Sequence, residues 1–485
     1  MDLALARDRF AFLARAFEGS GGFCPRVTWA SQQVLNPDGS LAGTRLVPSV
    51  TGTTELVRYQ RESDEKFAGR NAIAIYENHL RTACERFVSF LGRRRPQRAN
   101  VDAPLVKLFI DNADLRGSGI DAFFRQFALH AKARGSLLLV IDKPEGAPAT
   151  SLGDQMARRK VPYVRAALPE SIEAFEVDSD SGLFLSVTLC VEEKVDGKLE
   201  KVSRDYTTTG WKVRLGERVI DHGEHAFGAC PVLAYTESGD EFPVVGKYAQ
   251  IADLSRRLFN ARSELDEILR SQTFSLLTLQ VPQEQSSQFD AAKVSATIGT
   301  HSMLVHGGDQ PAFIAPDASP AETYGKVIDA LQQSIRRISM EESTESSTGV
   351  ESGVARRLRF EALNADIATF AQNLQQLEMR MWELFHRALG LKNTVEATWP
   401  TDYNLADVAA ELDILALMQA TGFPPAALNA KRKSIAATEF DNAPDDVKVE
   451  IDNAIDEFVQ QQVDPTTGLP IEVPPAVTVR TGATA

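Results

Sequence analysis

The sequence predicts an α+β protein, predominantly helical, and three observations carry that reading. Apolar residues recur at spacings of three and four in the first quarter and throughout the second half, the period of amphipathic helices. Between about residues 161 and 236 the pattern changes to alternation, the period of strands. The composition, 43% hydrophobic and 24% charged over 485 residues, is that of an ordinary globular chain long enough for several structural regions.

The charge narrows the function classes. There are 52 Lys+Arg against 66 Asp+Glu, a formal net charge of -14. From Thr401 to Ala485 there are 14 acidic and 5 basic residues, so nine of the fourteen excess charges lie there. This balance excludes a protein that grips nucleic acid by neutralising phosphates over its whole surface. The apolar fraction excludes global disorder. No apolar run approaches the ~20 residues a bilayer requires, so no membrane partner is expected. Cys24, Cys84, Cys190 and Cys230 are widely spaced, without a C-x-x-C pair, and read as incidental thiols in a reducing compartment. The start of the chain, with Asp2, Arg7, Asp8 and Arg9, does not read as a secretion leader.

In chain order, Phe67, Ala68, Ala72, Ile75, Tyr76, His79, Leu80, Ala83 and Phe87 predict helix between residues 60 and 91, ending near Gly92. A second helix is predicted over Ile120–Arg134, stopped by Gly135. Leu137–Ile141 is a continuous apolar run with turn residues on both sides, the pattern of a buried strand. Leu183–Val191 is β-rich, and Asp196-Gly197 is the two-residue signal of a type I′ hairpin. A return strand to about Tyr206, the alternating Trp211–Leu215 and Pro231–Tyr235 complete a small antiparallel sheet.

Helix resumes after Gly246. Ile251, Leu254, Leu258, Ala261, Leu265 and Ile268 form a seam of alternating three- and four-residue steps. A mixed segment follows to Pro316, with strand-like patches Leu276–Val281 and His301–His306. Ser319-Pro320-Ala321-Glu322 is a capping box with Pro at the first helical position. Its helix carries the stripe Tyr324, Ile328, Leu331, Ile335 and Ile338. Residues 339–353 hold Glu341, Glu342, Glu345 and Glu351 and no base, which predicts a solvated loop. A long helix over 354–389, about 54 Å at ~1.5 Å per residue, presents Ile367, Phe370, Leu374, Leu377, Met381 and Leu384 before Gly390 stops it. Shorter helices are predicted at Ala406–Thr421 and Asp445–Gln462, followed by a Pro-, Val- and Thr-rich tail over 464–485 that is expected to be mobile.

The motifs weigh against catalysis. Six residues separate Gly239 from Gly246, where a phosphate loop has four, and Tyr248 stands where a hydroxyl must reach magnesium. His222 and His225 are three apart around Gly223 and Glu224, which reads as a turn and not as a zinc helix. Gly117-Ser118-Gly119 reads as a loop–helix junction. The run Arg93-Arg94-Arg95-Pro96-Gln97-Arg98 follows a helix end, where cations oppose the dipole. No G-x-S-x-G elbow is present. The expectation is a non-enzyme with no metal and no cofactor.

The order of these parts, over roughly residues 55–460, resembles the portal proteins of tailed bacteriophages, the ring through which DNA enters and leaves the capsid. Local matches are Tyr59-Gln60-Arg61-Glu62 before a helix, Phe127 to Pro144, His225 to Val232, and Ser346 to Ala355 leading into the long helix. The resemblance implies a portal-like chain. Residues 1–242 would form a peripheral wing, 243–272 and 319–338 stem helices, and 273–318 a small mixed clip. A tunnel loop over 339–353 would lead into a long kinked helix over 354–389, then a crown over 390–463. It further implies a homo-dodecamer at the portal vertex of the virion, assembled in the host cytoplasm. Its implied partners are double-stranded DNA in transit, the terminase large subunit, a head-completion or adaptor protein, and capsid and scaffolding proteins.

On that reading Glu341, Glu342, Ser343, Glu345, Ser346, Ser347, Thr348 and Glu351 would line the DNA channel. Four acids per subunit, about 48 per ring, would repel phosphates and leave water as the contact layer. The seam residues Ile251, Leu254, Leu258, Leu265 and Ile268, with Tyr324, Ile328, Leu331, Ile335 and Ile338, would pack between neighbouring subunits. Two other classes stay open on sequence: a capsid-associated adaptor or scaffold without a lumen, and a metal-dependent enzyme using His222 and His225.

Overall fold

The computed structural model describes residues 3–35, 40–60, 62–144, 146, 149–195, 197–239, 241–273, 276–280, 303–306, 313–314, 319–341, 353–391, 394–403, 408–440, 443 and 445–461. They divide into one unit ending at Tyr403 and a second beginning at Asn404. The fold is mixed α+β and predominantly helical.

The first unit opens with helix α1 (Leu3–Glu18) and a hairpin of β1 (Arg26–Leu35) and β2 (Leu41–Thr51). Helices α2 (Asp64–Ile73) and α3 (His79–Leu91) follow. The single helical stretch expected before Gly92 is therefore broken. Asn78 caps α3 by accepting from the Arg81 N–H, as Ser63 caps α2 by accepting from the Lys66 N–H. Next come β3 (Gln97–Ala99), α4 (Pro104–Asp111), α5 (Ile120–Arg134), β4 (Ser136–Asp142), α6 (Leu152–Ala157) and β5 (Tyr163–Ala167).

The expected single sheet is two sheets. Strands β6 (Ile172–Val177), β7 (Phe184–Val195), β8 (Lys198–Thr207), β9 (Gly210–Leu215) and β10 (Arg218–Glu224) form an antiparallel meander. Val195 pairs with Lys198, so the turn has two residues, and Gly197 takes the positive φ of 80° it needs. Strand β11 (Val232–Thr236) instead joins β4 and β5, with the apolar β4 at the centre of that sheet. Leu137 to Ile141 are wholly buried there.

The remainder of the unit is α7 (Ala249–Thr273), short strands β12 (Leu276–Gln280), β13 (Met303–His306) and β14 (Phe313–Ile314), then α8 (Ser319–Ile338), α9 (Gly353–Leu389) and β15 (Glu396–Thr398). β12 lies between β13, parallel to it, and the antiparallel β14. Helix α9 runs through the core on Ile367, Phe370, Leu374, Leu377, Met381, Trp382 and Phe385, all buried. The second unit holds α10 (Val408–Ala420), α11 (Pro425–Glu439) and α12 (Asp445–Gln461). Lys433 pairs with Asp456 across 2.7 Å, and Asn429 donates to the same carboxylate at 2.9 Å.

Sequence alone did not reveal α1, the β1–β2 hairpin or α11. Helix α1 buries Phe10, Leu13 and Phe17 in the main core and ties Arg9 to Asp253 of α7 by two bonds of 2.7 and 2.6 Å.

Two glycines hold the centre together. Gly135 ends α5 in the left-handed region, at φ 86°, and its N–H donates to Ala131. Gly246, just before α7, donates to Arg134, and Glu237 after β11 donates to the Gly135 carbonyl. The backbones are in such close contact that a Cβ on Gly135 would sit 1.9 Å from the Gly246 nitrogen.

Charged side chains are buried in this unit, each with a partner, two of them near the crossing. Lys132 meets Glu237 at 2.5 Å, its ammonium 4.0 and 4.3 Å from the ring centres of Phe87 and Tyr248. Arg134 meets Glu170 at 2.6 Å. Arg70 meets both oxygens of Glu62 at 2.9 Å and donates to the Val57 carbonyl at 2.6 Å. Burial works against the Glu62 charge, but the bonds from Arg70 and the Tyr59 N–H hold its carboxyl below the ordinary range.

Two substitutions separate a contact effect from a helix-propensity effect. Gly135→Ala combines a backbone clash with a left-handed φ and is expected to cost at least about 3 kcal/mol. Gly325→Ala in α8 meets nothing within 4 Å and is expected to stabilise by up to about 1 kcal/mol. Thermal melts of the two variants should move in opposite directions. Glu62→Gln leaves Arg70 buried without its counter-charge and should cost about 3–5 kcal/mol near neutral pH. Because the folded Glu62 pKa is depressed, that contribution is present above the unfolded value of about 4.3. It fades as pH falls through the lower folded value, so denaturant curves of wild type and variant should converge in acid.

Candidate functional site

The elements singled out by sequence are the α7–α8 pair, the segment after α8 and the long α9. Helices α7 and α8 run antiparallel and pack along each other, with Tyr324 beside Glu264. The neighbouring Glu264 carboxylate, with partial burial, pushes the Tyr324 phenol up to about 12. The first half of α7 is embedded in the core. Its Asn260 accepts from the Val57 N–H at 2.7 Å and donates to the Glu55 carbonyl at 3.0 Å. Towards its second half, Asp266, Leu269 and Arg270 are exposed.

The seam residues divide accordingly. Ile251 and Leu258 on α7, with Leu331 and Ile335 on α8, are buried inside one chain. Leu254, Leu265, Ile268, Tyr324, Ile328 and Ile338 are half-buried. Within one chain, then, the four buried seam residues are covered by the helix pair and the core beneath it, and the six half-buried ones keep surface that a neighbouring subunit could meet.

Of the expected channel-lining residues, Glu341 is the one that is described. After α8 the chain turns at Met340, in the left-handed region at φ 53°, and the Glu341 carboxylate meets Arg86 of α3 at 2.5 Å. Within the chain its charge is compensated and the side chain is half-buried. Glu342, Ser343, Glu345, Ser346, Ser347, Thr348 and Glu351 lie outside the described residues. No local signal in the sequence marks Arg86 as the partner, because the two residues are 255 positions apart.

A second constellation that sequence did not reveal anchors α9. The buried Glu378 accepts from Arg98 Nε at 2.6 Å, from Trp382 Nε1 at 3.1 Å and from Trp399 Nε1 at 2.7 Å. Arg98 also meets Asp121 at 2.7 Å. One residue of the basic run is thus an internal structural cation.

The remaining motifs take structural places. His222 lies exposed on β10. His225 Nε2 is 2.9 Å from the Thr207 carbonyl, so that nitrogen carries the proton and has no lone pair for a metal. Burial, opposed by that bond, lowers the His225 pKa. Among the described residues, no three potential metal ligands come together. Lys247 pairs with Asp366 at 3.2 Å, and Tyr248 is buried. Burial pushes the Cys84 thiol well up and the Cys230 thiol up to about 11, so neither is an activated nucleophile.

No protein-family model matches the chain, and no curated protein matches it. Among solved structures it is similar to a chain in the virion of the native gene transfer agent (GTA) particle. The identity is 13% and the TM-score 0.40, over 71% of this chain and 86% of that one. It is similar to a chain in the neck of the native GTA particle computed with C12 symmetry, at 12% identity and a TM-score of 0.39, over 73% and 88%. It is also similar to a chain in the neck of the empty GTA particle computed with C6 symmetry, at 13% identity and a TM-score of 0.38, over 71% and 86%.

Proposed function

We propose that this chain is a ring-forming, portal-type structural subunit that conducts double-stranded DNA through a capsid vertex. The observation that carries the reading is one continuous arrangement. The antiparallel pair α7–α8 brackets a small three-stranded sheet, and an acidic, hydroxyl-rich segment then leads into a 37-residue helix through the core. A stem, a clip at its tip, a channel loop and a long crossing helix are the parts such a subunit needs.

The second unit supports assembly on independent grounds. None of its residues with described burial is buried, and Leu412, Leu417, Phe423 and Val449 are 49–64% exposed. A helical unit stabilises itself by burying apolar side chains, and this one leaves these large ones in water. Further copies of the chain around a closed ring would cover them.

In this reading the channel handles DNA by not holding it. Glu342, Glu345 and Glu351 provide about 36 carboxylates in a twelve-fold ring, with serine and threonine hydroxyls between them. DNA of any sequence then slides on a water layer, without the phosphate contacts that produce tight binding. The chain supplies no motor; a terminase ATPase docked at the clip does, and head-completion proteins follow it there. Capsid and scaffolding proteins would surround the wing.

Native mass spectrometry and electron microscopy should find a ring of about 640 kDa with a central hole, the closed-symmetry expectation for twelve copies. A monodisperse monomer or dimer at every salt concentration would refute the ring, and a solid assembly without a hole would favour an adaptor. Glu342, Glu345 and Glu351 changed together to Lys should still give rings, but DNA packaging by the cognate motor should slow through phosphate attraction. Packaging at the normal rate would refute the electrostatic account of the channel.

A further inference from the structure

We propose that the cleft between the C-terminal end of α3 and the N-terminal end of α5 is a binding site for an acidic peptide of a protein partner, one that places a carboxylate beside a large apolar side chain. The cleft encloses about 370 Å³, within the size range of ligand sites. Its rim carries Arg94, Arg95 and Arg125. Arg94 has only a long pairing, 3.8 Å to Asp402. Arg95 and Arg125 have no ion-pair partner among the described residues. The one acid in the lining, Asp121, is already matched by Arg98 at 2.7 Å.

The first turn of α5 adds to this field. Its N-cap is Gly119, which has no side chain to satisfy the free N–H groups of the turn. In a chain of net charge -14, three guanidiniums around one cavity therefore form a local inversion of sign. Guanidinium forks match carboxylates in a bidentate geometry.

The floor decides the class of ligand. Val88, Leu91, Phe124 and Trp399 form an apolar base beneath the arginines. A nucleic-acid backbone needs guanidiniums but gains nothing from an apolar cavity. A peptide that presents an acid next to an aromatic or aliphatic residue uses both. This site lies in the first unit and stands apart from the channel reading.

The test uses the full chain and three fluorescein-labelled probes. These are a peptide of glutamates and phenylalanines, the same peptide with alanine for phenylalanine, and a DNA oligonucleotide of equal charge. The first peptide should bind, quenching Trp399, and the alanine peptide should bind about tenfold more weakly, the loss of one good contact. Arg125→Ala and Arg95→Ala change exposed side chains and should each weaken the first peptide about tenfold. Ala122→Phe, which blocks the mouth without altering charge, should abolish binding with the fold intact by circular dichroism. Failure of the peptide to bind at millimolar concentration would overturn the proposal. So would affinity insensitive to Ala122→Phe, or tighter binding of the DNA with the same dependence on Arg125.

Discussion

At the end of α5 two glycine backbones pass so close that neither position has room for a Cβ, and three structural layers meet at that contact. Gly135 turns the chain from α5 into the buried strand β4, while Gly246 turns it into α7. The Glu237 N–H, arriving from β11, closes the arrangement on the Gly135 carbonyl. The helical layer, the central sheet and the start of the helix pair are thus fixed to one another by main-chain hydrogen bonds. Main-chain geometry has few soft degrees of freedom, so the direction in which α7 leaves the core is set here.

The buried charges follow from the same crowding. Long cations thread beneath the helices because the space between α3, α5 and α9 is lined with aromatic rings, which accept an ammonium or guanidinium face-on. Lys132 among Phe87, Tyr248 and Phe370 is held by rings as well as by a carboxylate, and elsewhere, on α2, Arg70 lies over Tyr59 at 4.6 Å beside Glu62. Glu378 is the inverse case, an anion surrounded by one guanidinium and two indole N–H donors. Such networks are costly to disrupt and admit few alternatives, which gives the unit a single arrangement of α9 against β3 and β15.

Much of the helical scaffold was legible in the sequence because its signals are local. Gly135 ended α5 as its position indicated, and the three-four stripes of α7 and α8 marked real amphipathic helices. The alternating segment between 161 and 236 signalled strands but not their partners, since period two says nothing about which strand lies alongside. Hence β11 was assigned to the wrong sheet. The break at Asn78 was hidden because the apolar stripe continues across it. Pairings such as Arg86 with Glu341, or Arg98 with Glu378, join residues hundreds of positions apart and leave no periodic trace. An apolar stripe likewise states that something covers it without saying what, and here α7 and α8 cover part of each other.

The β1–β2 hairpin has a consequence for the chain before it finds its partners. It is a two-stranded ribbon, with Trp29 and Leu46 58% and 64% exposed. Ribbons of this kind recruit strands from other molecules, the route by which newly made chains aggregate. Pro48, paired with Trp29 in the register, carries no N–H, so the middle of β2 has one donor fewer for any strand alongside it, its own partner or an incoming one.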